Sequence, residues 1–471
     1  MRTVVNAIVR EQLGRYVSAF DDFRKVAAGT DLPWLTKLRE DAFAQFAETG
    51  FPTPNVEDWR FTNVAPIAKT EFQLAQQLRT QELLALRDQV ESCRIPGAAA
   101  RLVFVNGHFA PEFSSLSGLP PGVFAVNLAT QIAEKPRHLE AHLGRYLKIK
   151  RDPFCALNTA FMEDGAFLHI GRGRVLEAPV HLLLISVGGD VPLMNHPRNL
   201  VLAEEGAELT VVEEFLSLGD ATVFCNTATE LVAGEGAVVS HYRIEQGNCG
   251  LFQISTLRIQ QDKSANVSSH SVLLGGALVR NNVHPVLAGE GGVCLINGLF
   301  LGREREHVDN YMLVEHASAH CESRQFYHGI LDDQAHGVFH GRIIVHKDAQ
   351  KTDAKQTNRN LLLSDNAQID TKPQLEIFAD DVKCTHGATI GQIEENALFY
   401  LRARGIDELS ARRLLLEAFA NECLDRMKEG PARAHAAELI RAHIRRMATT
   451  AKKYREAQPE SEPVSHWEEF Q

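Results

Sequence analysis

From about residue 101 to about residue 392 the chain is made almost entirely of short apolar, β-branched runs, such as RLVFVNG (101–107), VHLLLISV (180–187), LTVVEEF (209–215) and AVVSHYRI (237–244). Gly, Asn and Asp turn residues separate them, the punctuation expected of consecutive strands. One helix-like interruption, at about 130–149, breaks the series. A sandwich, a barrel and a solenoid all fit such texture, but the stretch is too long for one ordinary sandwich. The stretch 317–377 reads as successive coils, in which HGVFHGRIIVH (336–346) and NAQIDTKPQLEI (366–377) supply inward β-branched and leucine residues. Small residues such as Ala335, Gly337 and Ala367 suit the tight corners of stacked turns. The expected fold is therefore mainly β, a right-handed parallel β-helix flanked by N-terminal and C-terminal α-helical regions.

The flanks read differently. From Thr3 to about Thr49 the pattern is helical and divides into two helices, with Asp31 as candidate N-cap, Pro33 in the first turn, and Gly50 with Pro52 as the stop. A loop, FPTPNVEDWRFTNV (51–64), and a Leu-rich helical segment from about Glu71 to Ser92 follow. After Gly391 helices return: Ser410 is the candidate N-cap of ARRLLLEAFANECLDRM, Gly430 and Pro431 end it, and a basic helix runs from Ala432 to about Arg455. The last residues, EAQPESEPVSHWEEFQ, have the acidic, Pro-containing composition of a mobile tail. The expected regions are 1–98 (helical), 99–392 (β-helix), 393–455 (helical) and 456–471 (tail).

Composition removes several function classes. A formal charge of −11 argues against a nucleic-acid backbone as main partner. The opening MRTVVNAIVREQLGRY is interrupted by Arg10 and Glu11 and does not read as a signal peptide, and no segment has the roughly 18 to 20 apolar residues of a membrane span. A cytoplasmic location is expected. The eight cysteines are widely spaced, which suits reduced thiols, and no CxxC occurs to build a self-contained cluster or zinc site. There is no GxxxxGK[ST], GxSxG or HExxH, and GEGGV (289–293) is better read as a turn than as a phosphate cradle.

Two features carry chemistry. Seven of the 20 histidines fall between residues 307 and 346, which invites a metal reading; the plainer one is rows and polar corners of a solenoid, with imidazoles bonded to backbone carbonyls. In ADDVKCTHGATIG, Cys384 and His386 are two apart in a predicted strand and so share a face, with Gly387 leaving room for close approach. A thiolate beside an imidazole is half an iron site. Two ligands are too few for a cluster, so the rest must come from sulfide, water or another polypeptide. The acidic pairs Asp332/Asp333 and Asp380/Asp381 are read as solvated corners, since adjacent strand residues face opposite ways.

The segment KPQLEIFADDVKCTHGATIGQIEENALFYLRARGI (372–406), with AQKTDAKQTNRNLLLS (349–364) and FPTPNVEDWRFT (51–62), resembles the SufB/SufD family, and KCTHGAT points to its SufD branch. The likeness runs from about residue 30 to about residue 427. It implies a β-helix scaffold that pairs with a SufB-like paralogue and binds two copies of a SufC-like ABC ATPase, which would supply the energy. It implies that His386, with Cys384 as neighbour, helps build a nascent iron–sulfur cluster or holds iron shared with the SufB-like subunit, nothing being bound by this chain alone. It further implies that Phe399, Tyr400, Arg402 and the helix beyond dock the ATPase. On that helix Leu414, Leu415, Ala418 and Phe419 are expected to bury one face, leaving Arg412, Arg413, Glu417 and Asn421 for a partner, unless the helix caps the open end of the β-helix. Two other readings stay open: a β-helix carbohydrate-active enzyme, and a homodimeric structural protein without a metal role.

Overall fold

A computed structural model describes the backbone of residues 2–457 and the side chains of residues 13–447. The β region is a parallel solenoid of about eight turns. Successive strands alternate between two sheets. The first runs from Gln368–Ile377 through His336–Val345, His307–His316, Leu278–Leu287, Leu251–Gln261 and Val223–Ala233 to Arg198–Ala203. The second runs from Lys383–Gly391 through Asp353–Leu362, Glu322–Leu331, Val293–Gly302, Asn266–Leu274 and Val238–Gln246 to Glu208–Leu218 and Val180–Val187. One column of the second sheet passes through Val238, Asn266, Val293, Glu322, Asp353 and Lys383, steps of 28, 27, 29, 31 and 30 residues per coil. Between the sheets lies the main apolar core, which includes Leu182, Val211, Val239, Ile259, Leu287 and Ile343.

The two ends differ. At the N-terminal end Val123–Asn127 runs antiparallel to Ala166–Ile170, and His108–Phe109 folds antiparallel onto Ala100–Val105. Reversing direction there stops the parallel stack from offering its edge. At the other end Gln368–Ile377 and Lys383–Gly391 are each paired on one side only, and among the described residues nothing covers them.

Helices dress the outer faces. The N-terminal pair, Arg2–Val26 and Pro33–Thr49, packs Phe20, Phe23 and Phe46 against Phe161, while Trp59 and Phe154 reach Phe224 of the first sheet's outer face. Gly50 ends the second helix at φ 64°, its N–H returning to the Phe46 carbonyl. The N-cap is Leu32 rather than Asp31, because Pro33 opens the helix and fixes the residue before it as extended. The Leu-rich segment holds two short helices, Thr80–Leu84 and Arg87–Ser92, after a two-residue strand.

The buried helix Pro153–Phe161, capped by Asp152, is not evident in the sequence because PFCALNTAF is enclosed on all sides and shows no amphipathic period. Its seat is polar: Arg198, fully buried, donates to Asn158 and Thr159 of the helix and at 2.6 Å to the equally buried Glu230. Glu230 in turn accepts the N–H groups of Gly144 and Tyr146.

The C-terminal helices Glu408–Leu424 and Pro431–Ala457 lie on the outer face of the second sheet, where Leu416, Ala420, Ile440 and Ile444 meet Tyr242, Ile244, Leu299 and Ile330. They do not cap the solenoid's open end. The first begins one turn earlier than the sequence suggests, with Asp407 as N-cap accepting from the Ser410 N–H at 3.0 Å. Pro431 starts the second helix, as its preset φ favours. The tail expected at 456–471 lies, from residue 458 on, outside the described residues.

One buried carboxylate holds the last helix to the sheet. Glu214 accepts from His181 at 3.0 Å, from His435 at 2.9 Å and from Gln246 at 2.7 Å. Burial alone would raise its carboxyl, but the two imidazoles reverse this and hold it at about 2. Burial disfavours charge on both histidines; for His181 it wins, whereas for His435 the Glu214 hydrogen bond and the charges of Glu214 and Glu438 raise the pKa. His181 is thus a neutral donor and His435 the cation.

Two outcomes are expected. Arg198→Ala leaves Glu230 as a buried charge without its cation and lowers stability by about 3–5 kcal/mol, measured by chemical denaturation. His435 contributes stability fully below its unfolded pKa of about 6.5 and loses it as pH rises through its higher folded value. Protection against hydrogen exchange in Pro431–Ala457, taken relative to the intrinsic base-catalysed rate, should therefore fall from pH 6.5 upward, and His435→Gln should remove that fall.

Candidate metal and partner site

Cys384 and His386 stand opposite Ala354 and Gln356 on the last strand, Lys383–Gly391. Cys384 packs against the solenoid core, and strand alternation turns His386 to the same inward side, at the mouth of the unfinished coil. The spacing argument thus places the pair on one face, and the structure adds that this face looks into the solenoid's open end. Below His386 an amide ladder continues inward: Gln356 Nε2 donates to Gln325 Oε1 at 2.8 Å, while Gln356 Oε1 is buried without a partner.

The pair is chemically incomplete. Burial raises the pKa of the half-buried Cys384 thiol, the Ala354 N–H partly opposes this, and Asp353 adds to it. Cys384 is therefore a protonated thiol at neutral pH until a cation or a partner displaces the proton. Among the described residues no group of three or more His, Cys, Asp or Glu is arranged to hold a metal ion. A Cβ built on Gly387 meets nothing within 4 Å, so the room there is open space at the mouth.

Around the mouth lie apolar side chains that the sequence reading did not single out. Ile377, Phe378 and Ile390 are 40 %, 62 % and 51 % exposed, whereas Val345 and Asn360, the equivalents of Ile377 and Ile390 on the preceding coils, are buried. Their signal in the sequence is only that no further strand follows them.

The expected docking residues sit beside this end. The helix Glu395–Ala403 has no buried residue, with Phe399 and Tyr400 the most open at 73 % and 57 %. Arg402 lies 3.7 Å from Glu408, and Arg412 and Arg413 pair along their own helix with Glu408 and Glu417 at 3.0 and 3.8 Å. The buried face of Glu408–Leu424 is Ala411, Leu416, Ala420, Cys423 and Leu424. Leu414 and Ala418, expected inside, point outward, and Phe419 sits at the margin, stacked on His328 at 4.1 Å. The sheet is met by a different stripe because the helix crosses strands Val293–Gly302 and Glu322–Leu331 through Leu416 and Ala420.

The histidine cluster forms rows rather than one centre. His307 and His336 are neighbours on the first sheet's outer face with ring centroids 4.8 Å apart. His307 meets Thr62 at 3.0 Å, Thr62 donates to Asp309, and His336 pairs with Asp370 at 2.8 Å. His340 pairs with Gln374 and His316 with Ser323, so side chains supply most partners; His328, bonded to the Phe419 carbonyl, is the case matching the expected backbone acceptor. Loop 51–62 is pinned here, with the Arg280 guanidinium 3.8 Å from the Trp59 ring and 4.8 Å from the Tyr311 ring. Asp332 accepts the Asp333 N–H and Asp381 pairs with Lys351, which leaves both acidic pairs in turns.

The chain matches the SufBD core domain of SUF-system FeS cluster assembly over residues 185–419, and the SufBD protein N-terminal region over residues 10–182. It is 33 % identical over 411 residues to an iron–sulfur cluster assembly SufBD family protein of Synechocystis, covering 85 % of this chain and 89 % of that one. It is 33 % identical over 390 residues to the iron–sulfur cluster assembly protein SufD of Escherichia coli (82 % and 87 % covered). To SufD of Bacillus subtilis it is 26 % identical over 396 residues (82 % and 88 %).

The environment of Cys384 sets its reactivity. At pH 7.5 its alkylation by iodoacetamide should be slower than that of the exposed Cys249, and should climb steeply with pH as the thiol ionises. Peptide mass spectrometry of a time course gives both rates; a Cys384 rate equal to that of Cys249 at pH 7.5 would contradict a protonated, half-buried thiol.

Proposed function

Because this chain belongs to the SufBD family of iron–sulfur cluster assembly proteins, we propose that it is a SufD-like scaffold subunit of a SufBCD-type complex, in which iron or a nascent cluster is cargo held at its interface with a SufB-like paralogue. The observation that carries this reading is the position of Cys384 and His386: two soft and borderline donors, at the unpaired end of the solenoid, with no third ligand grouped beside them among the described residues. A second solenoid meeting that end would cover Ile377, Phe378 and Ile390 and bring its own donors beside the pair. Burying one such side chain contributes about 1.5–3 kcal/mol, so three of them support a stable junction.

No triphosphate-binding loop occurs in the sequence, so the energy enters through a SufC-like ATPase. Phe399 and Tyr400, on a helix that buries nothing within this chain, are the natural anchors for it, with Arg402, Arg412, Arg413 and Glu417 as a polar rim. In this reading nucleotide-driven movement of the ATPases pulls on Glu395–Ala403, which follows the cargo strand after a three-residue link, residues 392–394. The carbohydrate-enzyme reading is disfavoured because both acidic pairs are held in turns.

Co-expression with SufB-like and SufC-like proteins, purification through this chain and native mass spectrometry test the reading. One copy of this chain with one paralogue and two ATPases is expected. Ile390→Lys should release the paralogue while retaining the ATPase, and Phe399→Ala should do the reverse. His386→Ala, at an exposed position, should leave assembly intact and reduce iron bound by the purified complex; unchanged iron content would remove His386 from the site. Recovery of this chain only as a homodimer would instead favour the structural reading.

A further inference from the structure

Residues 135–151, KPRHLEAHLGRYLKIKR, carry six Lys or Arg against one Glu. Their net charge of +5, within a chain of formal charge −11, leaves −16 for everything else. The strip therefore runs against the overall field of the molecule. We propose that it is a docking surface for an acidic segment of another protein.

The strip is seated rather than loose. Leu139, Leu143 and Leu147 recur every four residues and are 0 %, 2 % and 7 % exposed. The first two pack with Ile132 and Leu200, and the third with Cys155 and Ala228. Glu230 accepts the Gly144 N–H at 2.8 Å and the Tyr146 N–H at 2.9 Å, and Lys148 pairs with Glu315. The segment thus crosses the outer face of the first sheet from the coil of Leu200 to that of Glu315.

With the leucines turned inward, the cations are left outside. Lys135, Arg137, Arg145, Lys150 and Arg151 are exposed. Among the described residues none of the five forms an ion pair, and Arg145 gives one hydrogen bond, to the Glu140 carbonyl at 3.4 Å. Asp152, the next acid in the chain, is occupied as a helix cap by the N–H groups of Phe154 and Cys155. Cations fixed on a pinned backbone lose less freedom on binding than cations on a mobile tail.

The same seating says which anion fits. An anionic membrane would need an apolar face to insert, and here the leucines are buried. A nucleic acid would bring a long phosphate backbone past the remaining −16, and the strip's one aromatic ring, Tyr146, is half-buried with its hydroxyl bonded to His142. An acidic protein segment is short enough to meet the strip alone, and guanidinium forks take its carboxylates in pairs. The strip lies on the opposite outer face from the C-terminal helices, so both can be engaged at once, and it does not depend on the role of Cys384 and His386.

Fluorescence anisotropy of a labelled oligoglutamate peptide with the full-length chain tests this. Saturable binding is expected, weakening at least tenfold as salt rises from low to physiological strength and beyond. Arg137→Glu, Arg145→Glu and Arg151→Glu together should weaken it tenfold or more. Lys69→Glu, Arg305→Glu and Lys428→Glu together, the same change of net charge at exposed positions elsewhere, should change it less than twofold. Carbodiimide cross-linking of the peptide to the unsubstituted chain needs no variant and should join it to Lys135 or Lys150. No saturable binding at millimolar peptide, equal loss in the two triple variants, or cross-links confined to lysines outside residues 135–151 would overturn the proposal. Tighter binding of duplex DNA or of phosphatidylglycerol vesicles than of the peptide, lost in the first triple variant, would also overturn it and assign the strip to a nucleic acid or a membrane.

Discussion

A parallel solenoid satisfies its backbone hydrogen bonds only by having another coil on each side, so its two ends are the points where the fold must be completed by something else. This chain completes one end itself. The antiparallel strands Val123–Asn127 and His108–Phe109 reverse direction at the first coil. At the last coil nothing among the described residues does so: Lys383–Gly391 leaves one edge unpaired, and the helices that follow turn aside onto the outer face of the second sheet. The asymmetry makes the C-terminal end both the least satisfied part of the described fold and the place where Cys384 and His386 are carried.

The outer faces are fastened by buried charge as much as by apolar packing. Arg198 and Glu230 tie the helix Pro153–Phe161 and the Gly144–Tyr146 backbone to the first sheet, and Glu214 ties His435 of the last helix to the second. Such pairs contribute little net stability relative to apolar replacements of the same shape, but they penalise any seating that leaves a charge alone. Their effect is to fix where each helix sits. That matters because the helix Glu395–Ala403, with Phe399 and Tyr400 outward, is held between the last strand, Lys383–Gly391, and the helix anchored on the second sheet.

Much of this was legible in the sequence. Strand runs, turn residues and the helical flanks gave the solenoid and its dressing, and the period-two rule placed Cys384 and His386 together. The repeat itself was hidden because coils of 27 to 31 residues differ at their corners, so no fixed offset aligns them. The helix Pro153–Phe161 was hidden because it is enclosed, and an enclosed helix has no polar face to mark its period. The stripe of Glu408–Leu424 that meets the sheet was misread: Leu414 and Ala418 belong to an apolar row in sequence, yet Leu416 and Ala420 are the residues under which the strands pass.

The state of Cys384 connects the fold to the chemistry. A thiol whose ionisation is opposed by burial is a poor ligand by itself, and His386 beside it is a single imidazole at an exposed mouth. Neither would hold iron firmly in the lone chain. In the proposed complex, closing the mouth with a second protein would change both terms together: it would remove water from around the pair, which strengthens any interaction with a cation, and it would bring further ligands. Under that proposal the half-site stays inert until the partner is in place, so that the same contact which completes the sheet edge also completes the donor set.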